Sequence, residues 1–148
     1  MPSLSFNYTT AVGPLIQVAI EVAAFNAAQP AAGAPINLHT YMALIDTGAS
    51  CTCISPKVVN DLGLKSIGKQ KVGGVHGGKQ TRKFQFSAVL IFPQSQLATG
   101  AMNAQLTTYQ ITGIEFVPPG AFDVLLGRDI ICQGVFQMSF DGHAILSL

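Results

Sequence analysis

The chain has 148 residues, of which 49% are hydrophobic and only 10% are charged, and its formal net charge is +1. This length suffices for a hydrophobic core, and we treat residues 1–148 as a single domain. The apolar composition excludes a disordered chain, and the weak net charge gives no electrostatic case for a nucleic-acid partner. A chain this apolar is expected to cover part of its surface with a second copy of itself.

The sequence also gives evidence on the cellular location of the protein. Its longest apolar runs, such as 88–92, are far too short to span a bilayer, and no signal peptide is visible at Met1. Its three cysteines cannot all pair within one chain, and the C-x-C spacing of Cys51 and Cys53 is not that of a zinc or thiol-redox site. We therefore predict a protein of the reducing cytoplasm, with no membrane segment, metal or other cofactor.

The first third of the chain is typical of strands separated by turns and one long loop. Partial alternation of apolar and polar residues predicts half-buried strands, and Gly13-Pro14 predicts a turn. The predicted strands are 4–8, 15–22, 41–45 and 52–54. The segment 23–37 is rich in Ala, Pro and Gly without a regular period, which predicts a loop.

The middle of the chain predicts one short helix and one long hairpin. Ser55 can cap a helix that has Pro56 in its first position and ends at Gly63. After it, two strands flank a glycine-dense tip, and a loop follows. The strands are 69–72 and 79–92, the tip is 73–78 and the loop is 95–103.

The last third again predicts strands, with one more short helix. The strands are 105–111, 114–117, 123–126, 135–140 and 144–148. The helix begins at Gly127 and ends before Gly134, and Asp141-Gly142 predicts a two-residue hairpin turn. There is no internal repeat. The whole pattern predicts an all-β domain with two short helices.

Asp46 is the residue that points most directly to chemistry. It stands in Asp46-Thr47-Gly48, after the apolar run 43–45, so a buried strand carries a carboxylate to its end. Burying a carboxylate is costly unless it is paired or neutralised, which favours a catalytic or network-forming role. Gly48 permits a sharp turn and the close approach of a peptide.

A catalytic role for Asp46 requires a second acid. Two adjacent carboxyl groups share one proton, so one can activate a water while the other polarises the carbonyl under attack. The chain has a single Asp-Thr-Gly loop, and its other acids lack that setting: Glu21, Asp61, Glu115, Asp123, Asp129 and Asp141. The economical source of the partner is a two-fold homodimer with Asp46 and its copy beside the axis.

Three motifs, in this order, resemble those of the retropepsin-like aspartic peptidases. They are Ala-Leu-Ile-Asp-Thr-Gly-Ala-Ser at 43–50, Val-Gly-Gly-Val-His-Gly-Gly at 72–78 and Val-Leu-Leu-Gly-Arg-Asp-Ile at 124–130. The second is similar to the family's substrate-covering flap, and the third to its apolar-apolar-Gly-Arg-Asp/Asn segment. The resemblance spans roughly 13–140, with about 23–40 as an apparent insertion relative to the family. It implies a closed β-barrel of the acid-protease fold, with one lobe per chain.

The resemblance also implies roles for the matching residues. Asp46 would be the catalytic aspartate, Thr47 would hydrogen-bond across the dimer axis, and Gly48 would offer its carbonyl to the substrate. Substrate contacts are implied for Gly48, Ala49, Ser50, Cys51, Cys53, Gly73, Gly74, Val75, His76 and Gly77. Structural roles near the loop and the dimer contact are implied for Leu126, Gly127, Arg128 and Asp129.

Two departures from the family pattern matter. Viral members usually carry an acid two residues after the motif's glycine, which partners the arginine. Ser50 occupies that position here, so Arg128 is expected to have another partner. The C-terminal hairpin, 135–148, is also longer than in the compact viral enzymes and could replace their interleaved termini as the dimer sheet.

We therefore predict an aspartic endopeptidase that hydrolyses peptide bonds in extended polypeptides as a homodimer, without a covalent intermediate. The alternative is a non-catalytic domain of the same fold that binds peptides or only dimerises. A third possibility is a domain excised from a longer protein.

Overall fold

The computed structural model describes residues 1–24, 37–73, 78–96 and 102–148. These residues form ten strands and two short helices. The strands are β1 (Ser3–Asn7), β2 (Leu15–Val22), β3 (Thr40–Ile45), β4 (Cys53–Ile54), β5 (Gly68–Val72), β6 (Lys79–Gln96), β7 (Met102–Glu115), β8 (Val124–Leu126), β9 (Val135–Met138) and β10 (His143–Ser147). The helices are α1 (Pro56–Asp61) and α2 (Arg128–Ile131).

Six strands close into a barrel. They are hydrogen-bonded in the order β2-β3-β8-β4-β7-β6, and a further pairing of β2 with β6 joins the two ends. β5 pairs with β6 and lies at the edge of this sheet. Closure leaves these six strands without a free edge. The predicted closed all-β architecture with two short helices is confirmed.

The parallel pairing of β3 with β8 sets the position of the site. Ala43 pairs with Val124 and Ile45 pairs with Leu126, so both strands end at the same level. Because parallel strands point the same way, the segments that leave them meet at one end of the barrel. The loop that follows β3 and begins at Asp46, which we call the Asp46 loop, therefore lies next to the Gly127-Arg128 segment that follows β8.

Large apolar side chains fill the barrel. Phe84, Phe86 and Phe92 of β6 are at most 1% exposed, and Ile20 of β2 and Leu126 of β8 are fully buried. Burial of one such side chain contributes about 1.5–3 kcal/mol. The loops at the barrel end are thus anchored to a tightly packed frame.

Helix α1 begins and ends as the sequence predicted. The Ser55 hydroxyl accepts a hydrogen bond from the Val58 amide, and Pro56 occupies the first helical position. Gly63, just beyond the helix, has a φ of +59°, a left-handed conformation that glycine adopts without strain. The same Ser55 hydroxyl donates to Asp123 Oδ1 at 2.8 Å, which ties the helix to the start of β8.

The two ends of the chain form a second sheet. Its order is β1-β10-β9, with both pairings antiparallel, and the Leu148 amide donates to the Pro2 carbonyl at 3.1 Å. Leu4, Phe6 and Phe136 pack from this sheet against the core. The C-terminal hairpin therefore pairs with the N-terminal strand of its own chain, and β9 is left as an edge strand.

Two predictions in the middle of the chain are wrong. The described ends of the predicted loop 95–103 belong to strands, because β6 extends to Gln96 and β7 begins at Met102. The predicted break in β7 near Gly113 is absent. Gly113 serves close packing instead of a turn, since a Cβ there would lie 2.8 Å from the Phe86 ring.

The C-terminal turn also differs slightly from prediction. The Ser139 amide donates to the His143 carbonyl at 2.9 Å, so the hairpin loop between them has three residues instead of two. Gly142 has a φ of +83°, which is the left-handed residue that a three-residue hairpin loop requires.

Two predicted loops lie largely outside the described residues. Of the predicted insertion 23–40, residues 25–36 are not described, and Thr40 already begins β3. Of the predicted glycine-rich tip, residues 74–77 are not described. Within the described ranges, no helix is long and apolar enough to cross a membrane.

Candidate active site

The loop that follows β3 is held in place by backbone hydrogen bonds. The Asp46 amide donates to the Leu126 carbonyl at 3.0 Å, and the Ala49 amide donates to the Asp46 carbonyl at 3.2 Å. The Gly48 amide turns back and donates to Asp46 Oδ1 at 2.8 Å. A Cβ on Gly48 would lie 3.1 Å from that oxygen, so glycine keeps the space beside the carboxylate open. The loop therefore presents a half-buried carboxylate with one oxygen oriented by an amide.

The segment after β8 packs directly against the Asp46 loop. The Arg128 amide donates to the Ala49 carbonyl at 3.0 Å. A Cβ on Gly127 would lie 2.5 Å from the Cys51 carbonyl oxygen, so only glycine allows the two backbones to approach this closely. Leu126 is fully buried beneath them. The geometry brings together the first and third sequence motifs.

A buried hydrogen-bond network around Asp129 links the loop to α2, and sequence reasoning missed its central member, Thr52. Asp129 Oδ2 accepts from the Thr52 amide and Oδ1 from the Thr52 hydroxyl, both at 2.8 Å. The same hydroxyl accepts from the Gly127 amide at 3.2 Å, and Asp129 Oδ1 also accepts from the Ile130 amide at 3.0 Å. Thr52 is 0% exposed. In the sequence, Thr52 differs from its neighbours only in being a polar residue among apolar and small ones, which does not identify it as part of a network.

Arg128 contacts the loop backbone instead of an acid. Its Nη1 donates to the Thr47 carbonyl at 3.3 Å, and among the described residues it forms no ion pair. Both Arg128 and Thr47 are exposed. The guanidinium therefore borders the loop at the surface, where Ser50 leaves it without the carboxylate that viral enzymes supply.

A cavity of about 760 Å³ opens beside the loop. Asp46 does not line it, but five of the predicted substrate-contacting residues do: Gly48, Ala49, Ser50, Cys51 and Cys53. Gly73, at the end of β5, also lines it. The other predicted flap residues, Gly74, Val75, His76 and Gly77, lie outside the described residues.

The sequence analysis assigned no substrate contact to the other residues that line the cavity. They are Pro56, Val72, Lys79, Gln80, Thr81, Arg82, Ile114, Glu115, Phe116, Val117 and Leu125. Two of them form an ion pair: Arg82 Nε donates to Glu115 Oε2 at 2.8 Å, and Arg82 Nη2 donates to Glu115 Oε1 at 2.5 Å. The two hydrogen bonds to Glu115, and its negative charge, raise the pKa of Arg82. The pair joins residues distant in sequence, so no local pattern could reveal it.

Cys51 and Cys53 form a thiol pair in the cavity wall. The Cys53 thiol donates to the Cys51 carbonyl at 3.3 Å, and Cys53 is buried whereas Cys51 is half-buried. The neighbouring Cys53 thiol lowers the pKa of the Cys51 thiol from 9.0 to about 7, although burial opposes the shift. The Cys51 thiol, together with burial, raises the pKa of Cys53. Across the described residues, no group of three or more potential metal ligands is present.

Comparison with known proteins agrees with this geometry. The family model described as "Aspartyl protease" matches residues 32–130. Among solved structures, a retropepsin-like aspartic protease from Rickettsia conorii matches with a TM-score of 0.56 at 13% identity, covering 97% of this chain and 89% of that one. This match shows a shared fold, which confirms the predicted retropepsin-like architecture. No curated protein matches the sequence.

Proposed function

The chain belongs to the aspartyl protease family, and from that membership we propose that it is an aspartic endopeptidase whose active unit is a homodimer. In this proposal Asp46 of each copy supplies one carboxyl group of a catalytic pair. The substrate is a polypeptide bound in an extended conformation.

The observation that carries the proposal is that every other carboxylate of the chain has a partner of its own. The pairs are Glu21 with His39, Asp61 with Lys57, Glu115 with Arg82, Asp123 with Ser55, Asp129 with Thr52 and Asp141 with Ser139. Among the described residues, Asp46 accepts a hydrogen bond from the Gly48 amide of its own loop and from no other group. None of these pairs brings a second acid to Asp46, and a two-fold axis beside Asp46 would supply one.

A pair of such carboxyl groups can hydrolyse a peptide by acid–base chemistry alone. The ionised member removes a proton from a water, whose oxygen attacks the peptide carbonyl carbon, while the protonated member gives its hydrogen to the carbonyl oxygen. The tetrahedral diol then breaks its C–N bond as the nitrogen takes up a proton from the carboxyl that gained one, and one diol hydroxyl returns its proton to the other carboxylate, which leaves a carboxylic acid product. Repulsion between the two carboxylates keeps one proton shared, which prepares both roles in one site.

The cavity supports an extended peptide as substrate. Gly48 lies in its lining beside the carboxylate and leaves room for the peptide backbone, while Ile114, Phe116 and Leu125 offer apolar surface to side chains. The paired strands β5 and β6 reach the cavity at Val72 and Lys79, which pair with each other. We propose that the residues between them form a flap over the bound strand, in the manner of strand addition.

Exposed apolar side chains support dimerisation. Phe140, Val135 and Met138, all in the C-terminal hairpin, are 104%, 57% and 43% exposed. The free edge of β9 and these side chains give a second copy both backbone groups and apolar surface to cover. We propose that the interface combines this hairpin with Thr47 and Arg128 at the Asp46 loop.

Replacement of Asp46 tests the proposal. Asp46→Asn keeps the shape of the side chain but removes the acid, so cleavage of an unstructured protein should cease while the dimer persists in sedimentation. Asp61→Asn, which removes an exposed carboxylate at the end of α1 and outside the proposed interface, is the matched control and should retain cleavage. Wild-type protein that dimerises and binds peptides but cleaves none would favour the non-catalytic alternative.

A further inference from the structure

The positive charge of the chain is concentrated in one hairpin. Six of the eight Lys and Arg residues lie between 65 and 83, at Lys65, Lys69, Lys71, Lys79, Arg82 and Lys83. No Asp or Glu occurs between Asp61 and Glu115. Although the net charge is only +1, the positive and negative charges are therefore distributed very unevenly along the chain. We call β5 together with residues 79–83 of β6 the basic hairpin.

Within the basic hairpin like charges face one another. Lys69 pairs across the strands with Arg82, an arrangement that is destabilising unless the charges are compensated. Glu115 compensates Arg82, but the ion pairs of the described residues include none of the hairpin's four lysines. Lys69, Lys71 and Lys79 are exposed. The hairpin therefore holds uncompensated positive charge at its surface.

Protection of the sheet edge explains only part of this charge. Lysines on an edge strand discourage pairing with other chains, which accounts for Lys69 and Lys71 on β5. It does not explain why a further lysine, Lys79 of β6, lines the cavity. The Lys71 side chain passes close to Gly78, the residue before Lys79, since a Cβ on Gly78 would lie 2.5 Å from its Cε. The hairpin thus contributes Lys79 and Arg82 to the cavity lining, with Lys71 beside them on the neighbouring strand.

We propose that the basic hairpin selects polypeptides with Asp or Glu residues flanking the bond to be cleaved. This inference rests on the proposed function, because it names the substrate class of the same cavity. A cluster of one charge sign at a cleft attracts ligands of the opposite sign and raises their local concentration. A peptide fits better than a nucleic acid, because the described part of the hairpin exposes no aromatic side chain on which bases could stack.

Two peptides with one cleavable core test the inference, one flanked by three Glu residues and one by three Gln residues. We expect a higher kcat/KM for the acidic peptide. Each of Lys79→Gln and Lys71→Gln should lower the acidic-to-neutral ratio by about two- to fivefold, the range of a surface ion pair. Lys65→Gln is the matched control outside the strands and should lower the ratio least. Near 1 M NaCl, where charges are screened beyond about 3 Å, the preference should vanish.

The outcomes separate this inference from the proposed function. Equal cleavage of both peptides, or a ratio that the lysine variants leave unchanged, overturns the acidic preference while the protease assignment stands. Failure to cleave any peptide or unfolded protein contradicts the proposed function itself. Competition by an oligonucleotide at concentrations where a poly-glutamate peptide does not compete would identify a nucleic-acid surface and also overturn the inference.

Discussion

Thr52→Val should destabilise the protein through the network beneath the Asp46 loop. The substitution keeps the shape of a fully buried side chain and removes only its hydroxyl. That hydroxyl donates to Asp129 Oδ1 at 2.8 Å and accepts from the Gly127 amide at 3.2 Å. Both bonds are lost, and the Gly127 amide keeps no partner.

The two losses set the expected magnitude. A hydrogen bond to a charged group contributes about 1.5–3 kcal/mol, and a buried amide left without a partner costs about 1–3 kcal/mol. The added valine methyl recovers part of this by burial, of the order of 1 kcal/mol. The free energy of unfolding should therefore fall by about 3 kcal/mol. Asp129 still accepts from the Thr52 and Ile130 amides, so the fold should survive.

Urea denaturation followed by circular dichroism measures this change. With a slope of about 2 kcal/mol per molar urea, the midpoint should shift by roughly 1.5 M. All samples need the same chain concentration, since dimerisation would link stability to concentration. Thr112→Val, at an exposed position of β7, is the matched control and should change stability by less than about 0.5 kcal/mol. A Thr52→Val loss no larger than that of the control would refute the network's role.

Three further predictions concern the cavity and the interface. Because thiolate is the reactive form, the rate of Cys51 alkylation should rise with pH around a midpoint of about 7 and be lost below it. Cys53→Ala removes the thiol that lowers this pKa, so it should move the midpoint upward. A midpoint that Cys53→Ala leaves unchanged would contradict the thiol pairing. Gly127→Ala should reduce stability and cleavage together, since its Cβ would lie 2.5 Å from the Cys51 carbonyl oxygen; wild-type behaviour in both assays would contradict the close packing. Phe140→Ser should weaken the dimer in sedimentation while circular dichroism stays unchanged, and an unaltered dimer would place the interface elsewhere.

Local signals in the sequence predicted the parts of the site that local chemistry determines. Ser55, Pro56 and Gly63 bound α1 because capping needs only neighbouring residues. Asp46 was recognisable because an acid directly after an apolar run is costly without a function. The third motif was expected near the loop from the family resemblance, and the parallel pairing of β3 with β8 brings it there.

Long-range pairs explain what the sequence did not reveal. Thr52 meets Asp129, and Arg82 meets Glu115, only after the barrel has formed, so neither pair leaves a periodic or spacing signal. The sequence predicts a break between strands 105–111 and 114–117 that β7 does not have, because a glycine needed for packing, such as Gly113, and one needed for a turn look alike in a single sequence. The sequence likewise did not identify the partner of Arg128. Within the chain, its guanidinium donates a hydrogen bond to the Thr47 carbonyl.

The claim that Asp46 is half of a catalytic pair is tested most directly by mixing subunits. A fixed amount of wild-type protein is equilibrated with increasing amounts of Asp46→Asn protein, and cleavage is measured. If each active unit needs a carboxyl group from both copies, mass action predicts that activity falls to about half at equal amounts and to about a tenth at tenfold excess. Asp61→Asn protein, altered outside the proposed interface, should not lower activity in the same titration. Activity that stays constant at every ratio of Asp46→Asn, in samples shown to exchange subunits, would contradict the shared site.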